Sequence, residues 1–163
     1  MRPASLSRLA PVLAVLLLPH LAAAQAGLTL GGLSADPGAP VEVTADSLSV
    51  DQAARSAVFA GNVVIAQGEM RIAAGQAEVV YREDGSEIAR LLLSGGVTFV
   101  TASEEAEAQS AEYDLESGLL VLSGEVLLSQ GANALAAERM SIDLRDGTAR
   151  MEGRVRTVFG QGG

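Results

Sequence analysis

Four copies of one short pattern run through most of this 163-residue chain. Each opens on an Ala-acid pair, at Ala45-Asp46, Ala77-Glu78, Ala111-Glu112 and Ala137-Glu138. Each reaches a glycine inside an apolar stretch twelve to seventeen residues after the acid, at Gly61, Gly95, Gly124 and Gly153. A repeat of about thirty residues is too small to bury its own apolar face, so the copies must stack into one elongated body with a shared interior.

Around each glycine the apolar residues alternate with a period of two, the pattern of half-buried strands. The first copy gives Ala57, Phe59, Val63 and Ile65, and the second Leu91, Leu93, Val97 and Phe99. The third gives Leu120, Leu122, Val126 and Leu128, and the fourth Ala149, Met151 and Val155. Each glycine falls in phase with them, which predicts two strand segments meeting at a glycine corner. Polar connectors such as Arg82–Ser86, Glu116–Gly118 and Arg145–Gly147 read as turns. No proline follows Pro40, in keeping with an uninterrupted hydrogen-bonded ladder. Residues 102–111 and 132–139 have helix-forming composition, but the alternation resumes on both sides, so short polar strands are the preferred reading. The fold class expected is all-β.

The first 24 residues read as an export signal: Arg2 and Arg8, an apolar run from Leu9 to Leu18, then Ala22-Ala23-Ala24 before Gln25. The run is too short to span a bilayer. The expectation is a cleaved leader, a flexible lead-in over residues 25–40 and one repeat domain over 41–160, soluble in the periplasm.

Past the leader, nine Arg stand against twenty acids, and there is no Cys, His, Trp or Lys. An acidic surface without Lys argues against nucleic acid and anionic lipid headgroups, and it also keeps a sheet-rich protein soluble. Without His and Cys there is no Ser-His-Asp or Cys-His nucleophile system, and zinc loses its usual ligands. No enzyme activity, cofactor or metal is expected. The acids Glu104, Glu105, Glu107, Glu112, Asp114 and Glu116 are close in sequence, and paired carboxylates serve glycoside hydrolysis or calcium binding. The spacing fits neither scheme, and a solvated acidic face is the simpler reading. Arg150, Arg154 and Arg156 near the end either guard an edge strand or select an acidic partner edge. The inward-phased positions are aliphatic, which suits either a dry core or flexible hydrocarbon.

The segments VEVTADSLSVD (41–51), FAGNVVIAQGEMRIAAGQAEVVY (59–81), AEYDLESGLLVLSGEVLL (111–128) and AERMSIDL (137–144) resemble the OstA/LptA-like family of periplasmic lipopolysaccharide transport proteins. The spacing of Gly-Asn-Val and Gln-Gly in the second segment is the most specific part; later copies carry Glu125 and Arg154 in place of Asn62. The resemblance implies a twisted, half-open β-jellyroll of about sixteen short antiparallel strands. It implies an apolar trough for the acyl chains of lipid A, lined by Val41, Val43, Phe59, Val63, Ile65, Phe99, Tyr113, Leu115, Val126 and Leu128. Partners implied are lipopolysaccharide, an inner-membrane OstA-like anchor, the N-terminal domain of an outer-membrane translocon and further copies of the chain joined end to end. Those junctions would form at Val41 and Val43 on one edge and Arg154, Val155, Arg156 and Val158 on the other. A structural or adhesive exported β-solenoid with a dry core is the alternative.

Overall fold

The computed structural model describes residues 33, 34, 36 and 38–160, so the export signal expected over 1–24 lies outside the described residues. Every regular element in it is a strand. In chain order they are β1 (Glu42–Thr44), β2 (Ser47–Asp51), β3 (Ser56–Gln67), β4 (Met70–Tyr81), β5 (Ile88–Val100) and β6 (Glu104–Ala108). There follow β7 (Ser110–Asp114), β8 (Leu119–Gln130), β9 (Asn133–Asp143), β10 (Thr148–Glu152) and β11 (Arg156–Val158). The two stretches of helix-forming composition are strands β6, β7 and β9, because their inward positions are apolar and their neighbours supply the ladder.

All eleven strands form one antiparallel sheet. β1 and β2 lie end to end beside β3; β4 and β5 follow; β6 and β7 lie end to end between β5 and β8; β9 follows; β10 and β11 lie end to end at the far edge. The sheet is therefore eight rows deep. Each row crosses a common seam, so the sheet has two walls and sixteen straight segments. The first wall contains β2, β7 and β10; the second contains β1, β6 and β11.

The seam is a line of bulges, and it explains the repeated glycine. Gly61-Asn62, Gly95-Gly96 and Gly124-Glu125 each sit where the register slips, so two residues oppose one. At Gly61 φ is +81°, and a Cβ would lie 2.5 Å from Asp46 Oδ2, so only glycine fits without strain or a shift of the acid. The next residue also has positive φ: 46° at Asn62, 48° at Glu125 and 42° at Arg154. Each of these three is tied down by the residue across the seam. Asn62 Nδ2 donates to Asp46 Oδ2 (2.8 Å), Gln109 Nε2 donates to Glu125 Oε2 (2.6 Å), and Arg154 Nε donates to Glu138 Oε1 (2.7 Å). The opposing residues are thus Asp46, Gly75, Gln109 and Glu138, not four acids. Glu78 and Glu112 lie one strand segment away, paired with Leu92.

The walls face each other across the core. In both, alternate positions are buried: Leu91, Leu93, Leu120, Leu122, Met140 and Ile142 in the first, and Ile65, Ile72, Val97, Phe99 and Leu128 in the second. Leu33 belongs to the same cluster and is fully buried. The core therefore begins before Val41, and residues 25–40 are not all a lead-in outside the domain. The first strand, β1, covers Glu42–Thr44, and the last row is divided by the Gly153-Arg154 bulge into β10 and β11.

Candidate functional site: an aliphatic interior open at both ends

Register fixes which side chains face the interior. Val43 pairs with Ile65, Phe59 with Ala77, Phe99 with Ile72 and Ala106, Tyr113 with Leu91 and Leu120, and Leu128 with Ala106 and Leu135. Every lining residue expected from sequence lies in this one apolar body. Val63, Ile65, Phe99, Tyr113, Val126 and Leu128 are buried within it, while Val41, Val43, Phe59 and Leu115 are half-buried against it. Phe99 has no exposed surface at all, so the middle rows are packed wall against wall rather than held apart around an open channel.

The end rows differ. Leu48 and Val50 pair with Phe59 and Ala57, which puts them on the interior side, yet they are 56% and 62% exposed. At the far edge Thr157 pairs with the buried Leu135, so Val155 and Phe159 share the interior side by alternation, and they are 51% and 73% exposed. Here no further row covers them. Arg156 and Val158 have the opposite phase and lie on the outer face, and Arg154 belongs to the seam.

Among the described residues three polar side chains are buried; the sequence pointed to Gln67 only through the Gln-Gly motif and to Glu104 only as part of the acidic run. Gln67 continues the phase of Val63 and Ile65; its Oε1 accepts from the Tyr113 hydroxyl at 3.0 Å, and its Nε2 donates to the Ala39 carbonyl at 3.2 Å. Glu104 accepts from Thr101 Oγ1 (2.7 Å), Ser103 Oγ (2.6 Å) and Gln130 Nε2 (3.0 Å). Ser56 is the third. The period of two that places Val63 and Ile65 inside also places Gln67 inside, so the signal for it was in the sequence. Burial pushes the Tyr113 phenol above its ordinary pKa, with the Arg145 charge opposing that in part.

The remaining acids of the run divide between places. Glu105 and Glu107 are exposed on β6, Glu112 pairs with Arg90 on the surface at 3.3 Å, and Asp114 accepts from Ser117 N in a turn. No group of three or more His, Cys, Asp or Glu among the described residues is placed to hold a metal ion. A groove of about 310 Å³ on the outside of the first wall mixes Glu78, Glu112 and Arg139 with Leu92 and Val121; its polar lining does not continue the interior.

Residues 42–148 match the family described as LptA/(LptD N-terminal domain) LPS transport protein, a match to more than half of the chain. The chain belongs to that family. The family is one of transport proteins, and its matched span contains seven of the eight rows in full and the start of the last. An uncharacterized protein of Rhizobium meliloti (strain 1021) is 28% identical over 127 residues, covering 70% of this chain and 68% of that protein. Among solved structures, LptH of Pseudomonas aeruginosa superimposes with a TM-score of 0.69 at 17% identity. That match covers 78% of this chain and 99% of the other. LptH is described as the LptA-homologous periplasmic component of the lipopolysaccharide transport device. The likeness establishes the LptA-like jellyroll for this chain.

Proposed function

We propose that this chain is a periplasmic lipopolysaccharide carrier that holds lipid A acyl chains between its two walls and joins its neighbours row to row. The observation that carries the reading is the interior itself, apolar in every row, with Phe59, Phe99 and Tyr113 among its aliphatic side chains, and left uncovered at both ends, at Leu48 and Val50 and at Val155 and Phe159.

Each buried methylene is worth about 0.8 kcal/mol, so a dozen-carbon chain resists water by roughly 10 kcal/mol. An apolar interior that runs through every row lets such a chain advance without crossing water, and no chemistry is needed. Entry requires the middle rows to part, because Phe99 and its neighbours fill the closed interior. The ten lining residues named above are the proposed contact set.

The edges support the assembly part of the reading. Eight antiparallel rows leave the first and last running in opposite directions, so a second copy added by translation continues the ladder. Such head-to-tail contact does not close on itself and extends the trough. The first row carries Glu42, Asp46 and Asp51; in the last, Arg150 pairs with Glu152 and Arg154 with Glu138, so Arg156 is the arginine left to face a neighbour. Opposite charge at the two edges selects head-to-tail joining, with an inner-membrane anchor of like fold at one end and an outer-membrane translocon at the other.

Photocrosslinking from benzoylphenylalanine placed at Phe59 and Leu115, both half-buried, tests the contact. Adducts with lipopolysaccharide support the reading, and adducts confined to outer-face positions such as Val64 overturn it. The fully packed middle rows favour a dry-core scaffold as the second reading; native lipid co-purifying with the chain excludes it.

A further inference from the structure

Leu33 is fully buried in the core cluster although it precedes the first strand. Its position follows from its neighbours. Asp36 and Ala39 form a turn, with Ala39 N donating to the Asp36 carbonyl at 3.0 Å. That turn lies on the β3–β4 hairpin: a Cβ at Gly68 would sit 3.8 Å from Asp36 Cβ and 3.9 Å from Ala39 Cβ. Three residues of chain reach at most about 10 Å, so Leu33 enters the interior beside this hairpin, at the tip of the second wall. Gln67, at the same tip, holds the Ala39 carbonyl with its Nε2 and the Tyr113 hydroxyl with its Oε1. Tyr113 belongs to the first wall. One buried amide therefore joins the N-terminal segment, the second wall and the first.

We infer that Leu33 is an internal stand-in for a hydrocarbon tail: it fills the interior at the tip of the second wall, and Gln67 couples its seat to closure of the walls, so that an entering acyl chain displaces the segment. This rests on the carrier reading above. A tail seated in the same place competes with Leu33 for the same apolar surface. Parting the walls breaks the Tyr113–Gln67 bond, frees the amide and loosens its hold on Ala39. The segment and the walls thus open together, and the closed state keeps water from the greasy interior while no lipid is bound.

The experiment uses the exported chain and purified lipopolysaccharide. In wild type, hydrogen exchange at the Ala39 amide should speed up at least about tenfold when lipopolysaccharide is added. A Leu33→Ser chain should bind lipopolysaccharide about tenfold more tightly, since burial of one leucine shifts an equilibrium about ten- to a hundredfold. Leu33→Met should keep the wild-type affinity. Lipopolysaccharide bound with Ala39 exchange unchanged or slowed overturns the inference and leaves the carrier reading standing. Failure of both wild type and Leu33→Ser to bind overturns the carrier reading and this inference with it. Should Leu33→Ser fail to fold, the exchange measurement on wild type decides.

Discussion

The Tyr113 hydroxyl of the first wall lies 3.0 Å from Gln67 Oε1 of the second, and both side chains are buried. The residues are 46 apart in sequence, and this buried hydrogen bond ties one wall to the other. Tyr113→Phe removes the donor and leaves the Gln67 oxygen without it inside the core, at a cost of about 1–3 kcal/mol. In a domain of this size, thermal melting should show a fall of roughly 4–12 °C. Tyr113→Phe combined with Gln67→Leu removes both polar partners and should recover part of that loss. A double variant no more stable than the single one would assign the cost to packing instead.

The same phenol gives the fold an alkaline limit. Burial raises its pKa above 10.0 in the folded chain. A group whose folded pKa is raised stabilises the fold fully below its unfolded pKa, about 10, and that stabilisation is lost as pH rises through the folded value. Tyr81→Phe leaves Tyr113 as the only tyrosine. In that background, phenolate absorbance should appear with a midpoint above 10.0 and coincide with loss of the near-ultraviolet tyrosine signal. A midpoint at or below 10.0 would mean that the walls are already parted.

Acid acts on the turns at the tip of the first wall. Asp84 and Asp114 are held below their ordinary pKa chiefly by the backbone amides of Ser86 and Ser117, and Asp146 chiefly by the Thr148 hydroxyl. For a depressed carboxylate, the stabilisation is present above the unfolded value and lost as pH falls through the folded one. All three carboxyls should titrate below 3.8 by NMR, and exchange at Ser86, Ser117 and Thr148 should accelerate only under those acidic conditions. Titration at 3.8 or above would show that the turn bonds do not persist in solution.

The seam separates two costs of replacing glycine. Gly61→Ala meets both positive φ and the Asp46 carboxylate 2.5 Å away, whereas Gly85→Ala, at φ +70°, meets no atom within 4 Å. Gly85→Ala should cost about 1 kcal/mol from backbone strain, and Gly61→Ala about 2–4 kcal/mol by adding a steric shift. Denaturant midpoints check the order. Asp46→Ala should itself destabilise by freeing Asn62, yet it should lower the further cost of Gly61→Ala; strict additivity would place the strain elsewhere.

Much of this was legible before the structure. Alternation around each glycine announced rows crossing a corner, because a bulge of two residues keeps Phe59 and Val63 on one face. The seam partners were not legible in the middle copies. Gly75 and Gln109 stand where Asp46 and Glu138 stand in the outer ones, so the Ala-acid pairs mark two different places in the fold. Gln67 and Glu104 follow the inward phase, but their polarity masks it until hydrogen-bond partners from distant rows are known. Leu33 carries no local signal: it falls out of the period of two that Leu28 and Leu30 begin, and only the β3–β4 hairpin, more than thirty residues on, gives it a place to go.

Edge charge supplies the last test, one of assembly rather than folding. In a head-to-tail stack, β11 of one copy runs beside β1 of the next, and Arg156 and Glu42 have outward phase on those strands. Glu42→Arg would set like charges across the junction. Exposed pairs are worth about 0.2–1 kcal/mol, so the association constant should fall a few-fold at low salt and the effect should fade as salt is added. The doubly swapped chain, Glu42→Arg with Arg156→Glu, should associate with itself about as well as wild type and poorly with it. Light scattering across a concentration series measures both arms. Equal association by all the variants would mean that charge does not select the edge, leaving the unpaired backbone of the first and last rows as the whole of the junction.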